Sequence, residues 1–311
     1  MKSFFINIFR FSLPFIIYIL MVLYIDPYNL IQIEKNIKLS EIKSKTSLPL
    51  NYRLYKLSNF LNNPTDVIML GDSRVDAIDT NYFNNLNGKK STNLAYGGGS
   101  LSEIIESFWF VSNAHNLKEV YIGINFNLWN KHNNLNLVNE SLDLIQSPMN
   151  YIFSKDCLKS TFLILKILLF KQEKINIENP KSSKEDFWKY QIESSANNFY
   201  RIWDYPTQYM YQLSQIAEYC KLNNIKLVFF TPPTHIDLQS KVTQFKLVHE
   251  ELKFKNDLSK LGLYYDFDYP NEITKNKKLF KDPFHSNDSV TKIVVNEILT
   301  RKIKYAKIAN P

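Results

Sequence analysis

The sequence predicts an α/β fold: a five-stranded parallel sheet with helices on both faces, a long helical insertion after the third strand, and an apolar N-terminal helix. Three observations carry that prediction. Short apolar runs ending at glycine or proline alternate with longer segments of helical periodicity, the pattern of repeated strand–helix–strand units. The chain has 311 residues, of which 45% are hydrophobic and 14% aromatic, enough to bury a large core and to exclude a disordered chain. Near the N-terminus, Phe11 to Ile25 runs for 15 residues without a charge.

That first run, extended back to Phe4, reaches the roughly 20 positions that cross a bilayer core. Arg10 interrupts it, but a long cationic side chain near a helix end can reach the interface. Lys2 and Arg10 precede the apolar core and Asp26 follows it, which favours an N-terminus inside and the remainder outside. A cleaved signal peptide is the rival, but Asp26-Pro27-Tyr28 is a poor cleavage site. Residues 1–25 are therefore expected to be a membrane anchor, and residues 26–63 a polar stalk.

The body, residues 64–305, carries the α/β pattern. Strands are expected at Asp66–Leu70, Thr92–Ala95, Glu119–Ile124, Lys226–Thr231 and Leu263–Phe267. The first three run into glycines, and the fourth stops at Pro232-Pro233. Helical patterns cover Leu101–His115, Thr207–Asn223, Ser240–Leu261 and Asp288–Lys304. Residues 126–205 exceed a single crossover: an Asn-rich start, an apolar stretch from Thr161 to Phe170, and a charged segment through Lys189. Ten apolar residues cannot span a bilayer, so this stretch is expected to be an amphipathic lid over the site, with a membrane-surface helix as the rival.

Charge and cysteine content narrow the function. The net charge is +8, but lysines are scattered, and no basic-aromatic stripe or helix-turn-helix spacing points to nucleic acid. Cys157 and Cys220 are too few for a disulfide framework or a four-thiolate metal site; one bridge between them stays open, and two buried free thiols are the plainer reading. Only seven glycines occur, so each is expected where the backbone needs close approach or positive φ.

Five of the seven fall in three strand-end clusters. Gly71-Asp72-Ser73-Arg74 follows the first strand; Asn93 to Gly99, ending in three glycines, follows the second; Gly123-Ile124-Asn125 closes the third. Asp282-Pro283-Phe284-His285 lies near the C-terminus. Each alone has an ordinary reading: an N-cap serine, a flexible turn, a buried asparagine, a solvated turn. Their order, and the placement of the three glycine clusters at the carboxyl ends of strands, where such sheets bind ligands, argue for one site.

Together these blocks resemble the SGNH hydrolase superfamily, the GDSL-type esterases, over about residues 64 to 305. The resemblance implies a flavodoxin-like three-layer fold. Two departures, Phe126 after Asn125 and the length of the insertion, look like the family's membrane-anchored extracytoplasmic branch, which includes alginate O-acetylation and D-alanyl-lipoteichoic-acid transfer proteins. The chemistry also follows from residue types. Ser73 would be the nucleophile, which needs a base to accept its proton. His285 is the candidate base and Asp282 its orienting carboxylate. His115, His132, His235 and His249 compete, but only His285 has a carboxylate at short spacing, and His235 is expected to serve its loop. The resemblance places the oxyanion between the backbone N–H groups of Ser73 and Gly98 and the side-chain amide of Asn125, Gly98 being selected over Gly97 or Gly99.

The expected function is serine-dependent acyl-ester chemistry on a cell-envelope polysaccharide or glycolipid, as O-acyl transferase or esterase. The expected location is a bacterial inner or plasma membrane, single-pass, with the catalytic domain outside the cytoplasm. No cofactor or metal is needed. A transferase implies an integral-membrane acyl-donor protein as partner. The competing class is a non-catalytic glycan-binding or assembly module. A metal phosphoesterase built on Asp72, Asp76, Asp282 and His285 explains fewer residues.

Overall fold

The computed structural model describes residues 1–31, 36–170 and 183–309. Residues 32–35 of the expected stalk and 171–182 of the expected insertion lie outside the described residues. The chain divides into two compact units: Met1–Asn63 with Leu137–Glu178, and Pro64–Asn136 with Asn179–Pro311.

The second unit is the α/β body. Its strands are β1 (Val67–Leu70), β2 (Ser91–Asn93), β3 (Glu119–Gly123), β4 (Lys226–Thr231), β5 (Leu263–Asp266) and β6 (Lys307–Ala309). They form one sheet in the order β2-β1-β3-β4-β5-β6. The first five are parallel; β6 runs antiparallel on β5, with Tyr265 opposite Ile308. This sixth strand corrects the expectation of five, and three residues after a helix leave too little periodicity to read.

Alternation sorts the strand side chains onto two faces. Val67, Met69, Tyr121, Val228, Phe230 and Tyr265 pack with Val294, Val295 and Ile298 of the helix Asp288–Thr300. Ile68, Leu70, Val120, Ile122 and Phe229 are buried on the opposite face, where the helices Leu101–Ala114 and Thr207–Leu222 lie. The first of these helices opens with a capping box between Ser100 and Glu103. The expected single helix from Ser240 to Leu261 is two, Ile236–Gln244 and Val248–Leu261, broken where Lys246 turns to φ +59°. The last helix ends at Thr300, before the expected Lys304, because Arg301 adopts φ +60°.

The first unit is all helical. The apolar helix Lys2–Ile25 stops at Asp26, which adopts φ +41°. The buried Asp26 carboxylate accepts the N–H groups of Leu30 and Ile31 and the hydroxyl of Tyr151. Part of the expected stalk is folded: helices Ile37–Leu50 and Tyr52–Asn62 bury Ile42, Leu54, Leu57 and Phe60. Helices Leu137–Gln146, Pro148–Ile152 and Lys155–Phe170 complete the unit. The stretch Thr161 to Phe170, expected as a lid, therefore belongs to this unit. Its helix buries Cys157, Ser160, Thr161 and Ile164.

Candidate active site

Ser73 opens a single helical turn, Ser73–Asp76, directly after β1. That turn can sit down on the strand ends because glycines line its seat. A Cβ on Gly123 would lie 2.2 Å from Val75 Cγ2, and one on Gly71 would lie 2.4 Å from the same atom. Real Cβ atoms do not approach so closely, so both positions exclude a side chain.

Ser73 Oγ lies 2.7 Å from His285 Nε2. His285 Nδ1 lies 2.8 Å and 2.9 Å from the two oxygens of Asp282. A carboxylate only accepts, so Nδ1 carries the proton and Nε2 is left to accept from the serine. The loop that holds both groups is itself bonded. Asp282 Oδ1 accepts the N–H groups of Phe284 and His285, and the Lys281 N–H donates to the His285 carbonyl. The His235 N–H fastens the same loop from β4's side, donating to the Pro283 carbonyl at 2.9 Å. Such a chain can draw a proton from a serine hydroxyl as it attacks.

The neighbouring donors sit at a second strand end. Gly98 adopts φ +65°, a left-handed conformation that suits glycine. No hydrogen bond among the described residues takes the backbone N–H of Ser73 or Gly98. Both residues line a cavity of about 470 Å³ together with His285. Gly99 lines it too, but its N–H is engaged by the Tyr96 carbonyl.

Asn125 does not take the place expected of it. It is 2% exposed, does not line the cavity, and donates its Nδ2 to the Pro232 carbonyl at 2.7 Å. The reason is local: the carbonyl at the Pro232-Pro233 break is buried and demands a donor. The turn that follows, with the Leu128 and Trp129 N–H groups on the Asn125 carbonyl, brings Asn127 to the cavity instead. Asn127 Oδ1 accepts from Arg74 Nη1 at 3.0 Å. No hydrogen bond among the described residues takes its Nδ2. Arg74 is in turn clamped by a buried ion pair to Asp72, Nε on Oδ1 at 3.1 Å and Nη2 on Oδ2.

Asp72 is thus committed to Arg74 and Asp282 to His285, and among the described residues no group of three or more His, Cys, Asp or Glu could hold a metal ion. The other histidines lie elsewhere. His235 is buried at a helix start, where its Nδ1 accepts the Asp237 N–H, and burial holds its pKa below the usual imidazole value. His115 pairs with Asp66. Neither these nor His132 and His249 line the cavity.

The far wall was missed in the sequence. Residues Lys184–Arg201 form a helix interrupted by a π-helical stretch, Gln191–Ala196. Gln191, Ser195, Asn198 and Phe199 face the cavity, at i, i+4, i+7 and i+8. That spacing is readable as one helix face, but no helix was expected at these positions of the insertion. The helix is tied to the segment leading into the Asp282–His285 loop by Lys184 Nζ on the Phe280 carbonyl at 2.9 Å and by Trp188 packed on Phe280.

No family model and no curated protein matches the sequence. Among solved structures the chain is similar to a GDSL-like lipase from Bacteroides thetaiotaomicron. The identity is 11% and the TM-score 0.38, covering 82% of this chain and 99% of that one. It is also similar to a catalytic mutant of an acetylxylan esterase from Geobacillus stearothermophilus, again at 11% and 0.38, covering 78% and 97%. Likenesses of this size decide nothing about chemistry; residues and distances must.

Proposed function

We propose that this chain is an SGNH-type serine enzyme that moves or removes acyl esters on a cell-envelope polysaccharide or glycolipid. What carries the reading is the unbroken hydrogen-bonded chain from Ser73 Oγ through His285 to Asp282 beside unengaged backbone donors. In the first step Ser73 attacks the ester carbonyl, His285 takes the hydroxyl proton and passes it to the leaving alcohol, and Asp282 steadies the imidazolium. The tetrahedral oxyanion is held by the N–H groups of Ser73 and Gly98 and by Asn127 Nδ2. In the second step His285 deprotonates the acceptor, which attacks the acyl-serine; the Ser73 Oγ–acyl bond breaks and the imidazolium returns the proton to Ser73 Oγ. Water as acceptor makes an esterase; a glycan hydroxyl makes a transferase.

A lining that combines the amides of Asn127, Gln191 and Asn198, the Ser195 hydroxyl and the rings of Phe199 and Phe284 suits sugars, whose hydroxyls both donate and accept. The helix Phe4–Ile25 has a mean hydropathy of 2.2 and serves as an uncleaved anchor, with the body outside the cytoplasm. A transferase needs an acyl donor, supplied on this reading by an integral-membrane partner.

The test uses the full chain in detergent beside Ser73→Ala. Turnover of p-nitrophenyl acetate is followed with and without oligosaccharide, and acylated sugar is sought by mass spectrometry. Release to water that falls by roughly 10³-fold or more in Ser73→Ala identifies an esterase. Ser73-dependent acylated sugar identifies a transferase. Turnover retained in Ser73→Ala refutes the assignment.

A further inference from the structure

The anchor helix is gripped by its own unit well before it ends. The Tyr18 hydroxyl donates to the Ile152 carbonyl at 2.5 Å, and its ring lies 6.4 Å from that of Phe153. One turn on, Val22 is fully buried in a cluster with Tyr28, Tyr151 and Cys157. Tyr18 stands seven residues before Ile25, a drop of about 10 Å along a helix axis.

Length makes that drop consequential. Phe4–Ile25 has 22 residues, about 33 Å at 1.5 Å per residue, against a hydrocarbon core of about 30 Å. The span has almost nothing to spare. If it ended at Tyr18, only 15 residues would remain, about 22 Å, with Arg10 near their middle. The segment from Tyr18 to Ile25 therefore lies in the bilayer, and whatever is bonded to Tyr18 lies at its depth.

The surface at that depth is apolar. Met149, Phe153 and Phe162 are 63%, 52% and 54% exposed, and Leu158 is exposed between them. On the helix Lys155–Phe170, exposed Leu158, Phe162 and Leu169 and half-buried Leu165, which also packs toward Ile25 and Ile42, recur at i, i+4, i+11 and i+7, beside an adjacent edge of exposed Lys155, Lys159 and Lys166. An apolar stripe flanked by lysines is the surface of a helix that meets lipid and its phosphates.

We propose that the helical unit is seated in the outer leaflet, with the Pro148–Ile152 helix, Phe153 and the first turns of Lys155–Phe170 in the headgroup and upper acyl region. The inference rests on the anchor spanning the membrane and is independent of the chemistry at Ser73. A unit seated in this way would be fixed against the lipid surface rather than swinging on a tether.

The test places nitroxide labels on the full chain in phosphatidylcholine–phosphatidylglycerol vesicles, at Met149→Cys, Phe153→Cys, Tyr24→Cys on the anchor and Val248→Cys in the α/β unit. The unsubstituted chain, whose Cys157 and Cys220 are buried, gives the labelling blank, and circular dichroism checks folding. Labels at 149 and 153 are expected to match 24, with an oxygen-to-nickel-chelate accessibility ratio several-fold above that at 248. Water-like ratios at 149 and 153 with a lipid-like ratio at 24 overturn the seating and leave the anchor standing. A water-like ratio at 24 overturns both.

Discussion

Asn125 and Asn127 stand two positions apart, and they divide between them what the sequence assigned to one. Asn125 satisfies the buried Pro232 carbonyl; Asn127 offers its amide to the cavity with its oxygen held by Arg74. Their alanine variants should therefore fail differently. Asn127→Ala is expected to lower kcat by about 10²–10³ with little change in unfolding. Asn125→Ala is expected to cost about 1–3 kcal/mol in a denaturant titration while the folded fraction keeps its turnover. Arg74→Lys retains the charge but loses the planar fork that spans Asp72 and Asn127. Steady-state kinetics should show kcat reduced and KM nearly unchanged. Ser73 was legible as a serine at a strand end and Asp282 with His285 as a closely spaced pair near the C-terminus, while Gly98 followed only from the family resemblance. Which asparagine reaches the cavity was not legible, because a two-residue shift in a turn leaves no trace in periodicity.

At the scale of elements, the site is a strand-end construction with a helical wall. Gly123→Ala would drive a methyl into Val75 and the Phe230 ring, and Val75 belongs to the same turn as Ser73. Overpacking of this kind costs typically 1–3 kcal/mol. The expected result is a lower melting temperature together with reduced turnover at temperatures where the chain is still folded. The wall should behave otherwise. On the proposed function, Ser195→Ala and Asn198→Ala are expected to raise KM for an acylated or acceptor oligosaccharide and to leave p-nitrophenyl acetate turnover unchanged, since neither is hydrogen-bonded to Ser73, His285 or Asp282. The five parallel strands were legible to within two residues at each end, because buried runs bounded by glycine or proline are short and sharply terminated. The wall was not, because its face carries amides and a hydroxyl rather than the apolar stripe by which a buried helix is recognised.

At the scale of the whole molecule, Glu251 is expected to make stability decline as pH rises from about 4.5 through about 7. Glu251, on the helix Val248–Leu261, has its pKa raised to about 7, chiefly by burial and further by Asp268 and Asp266, against the pull of Lys255. A carboxyl with a higher pKa folded than unfolded stabilises the fold below about 4.5 and loses that contribution as pH rises through about 7. Melting temperatures measured from pH 5 to 8.5 should fall more steeply for the natural chain than for Glu251→Gln; parallel curves would refute the assignment.

The sequence by itself determined the parallel sheet, the apolar N-terminal helix and a short list of candidate residues, Ser73, His285 and Asp282, whose proposed roles the structure leaves to experiment. Each is written in local signals: runs, breaks and close spacings. Only the tertiary structure decided that helices Ile37–Leu50 and Tyr52–Asn62 fold with Leu137–Gln146 and Lys155–Phe170, and that the helix of Gln191 to Phe199 walls the cavity. Both depend on residues about a hundred positions apart meeting across space. Burial against a distant partner leaves no local mark on the residues that will meet it.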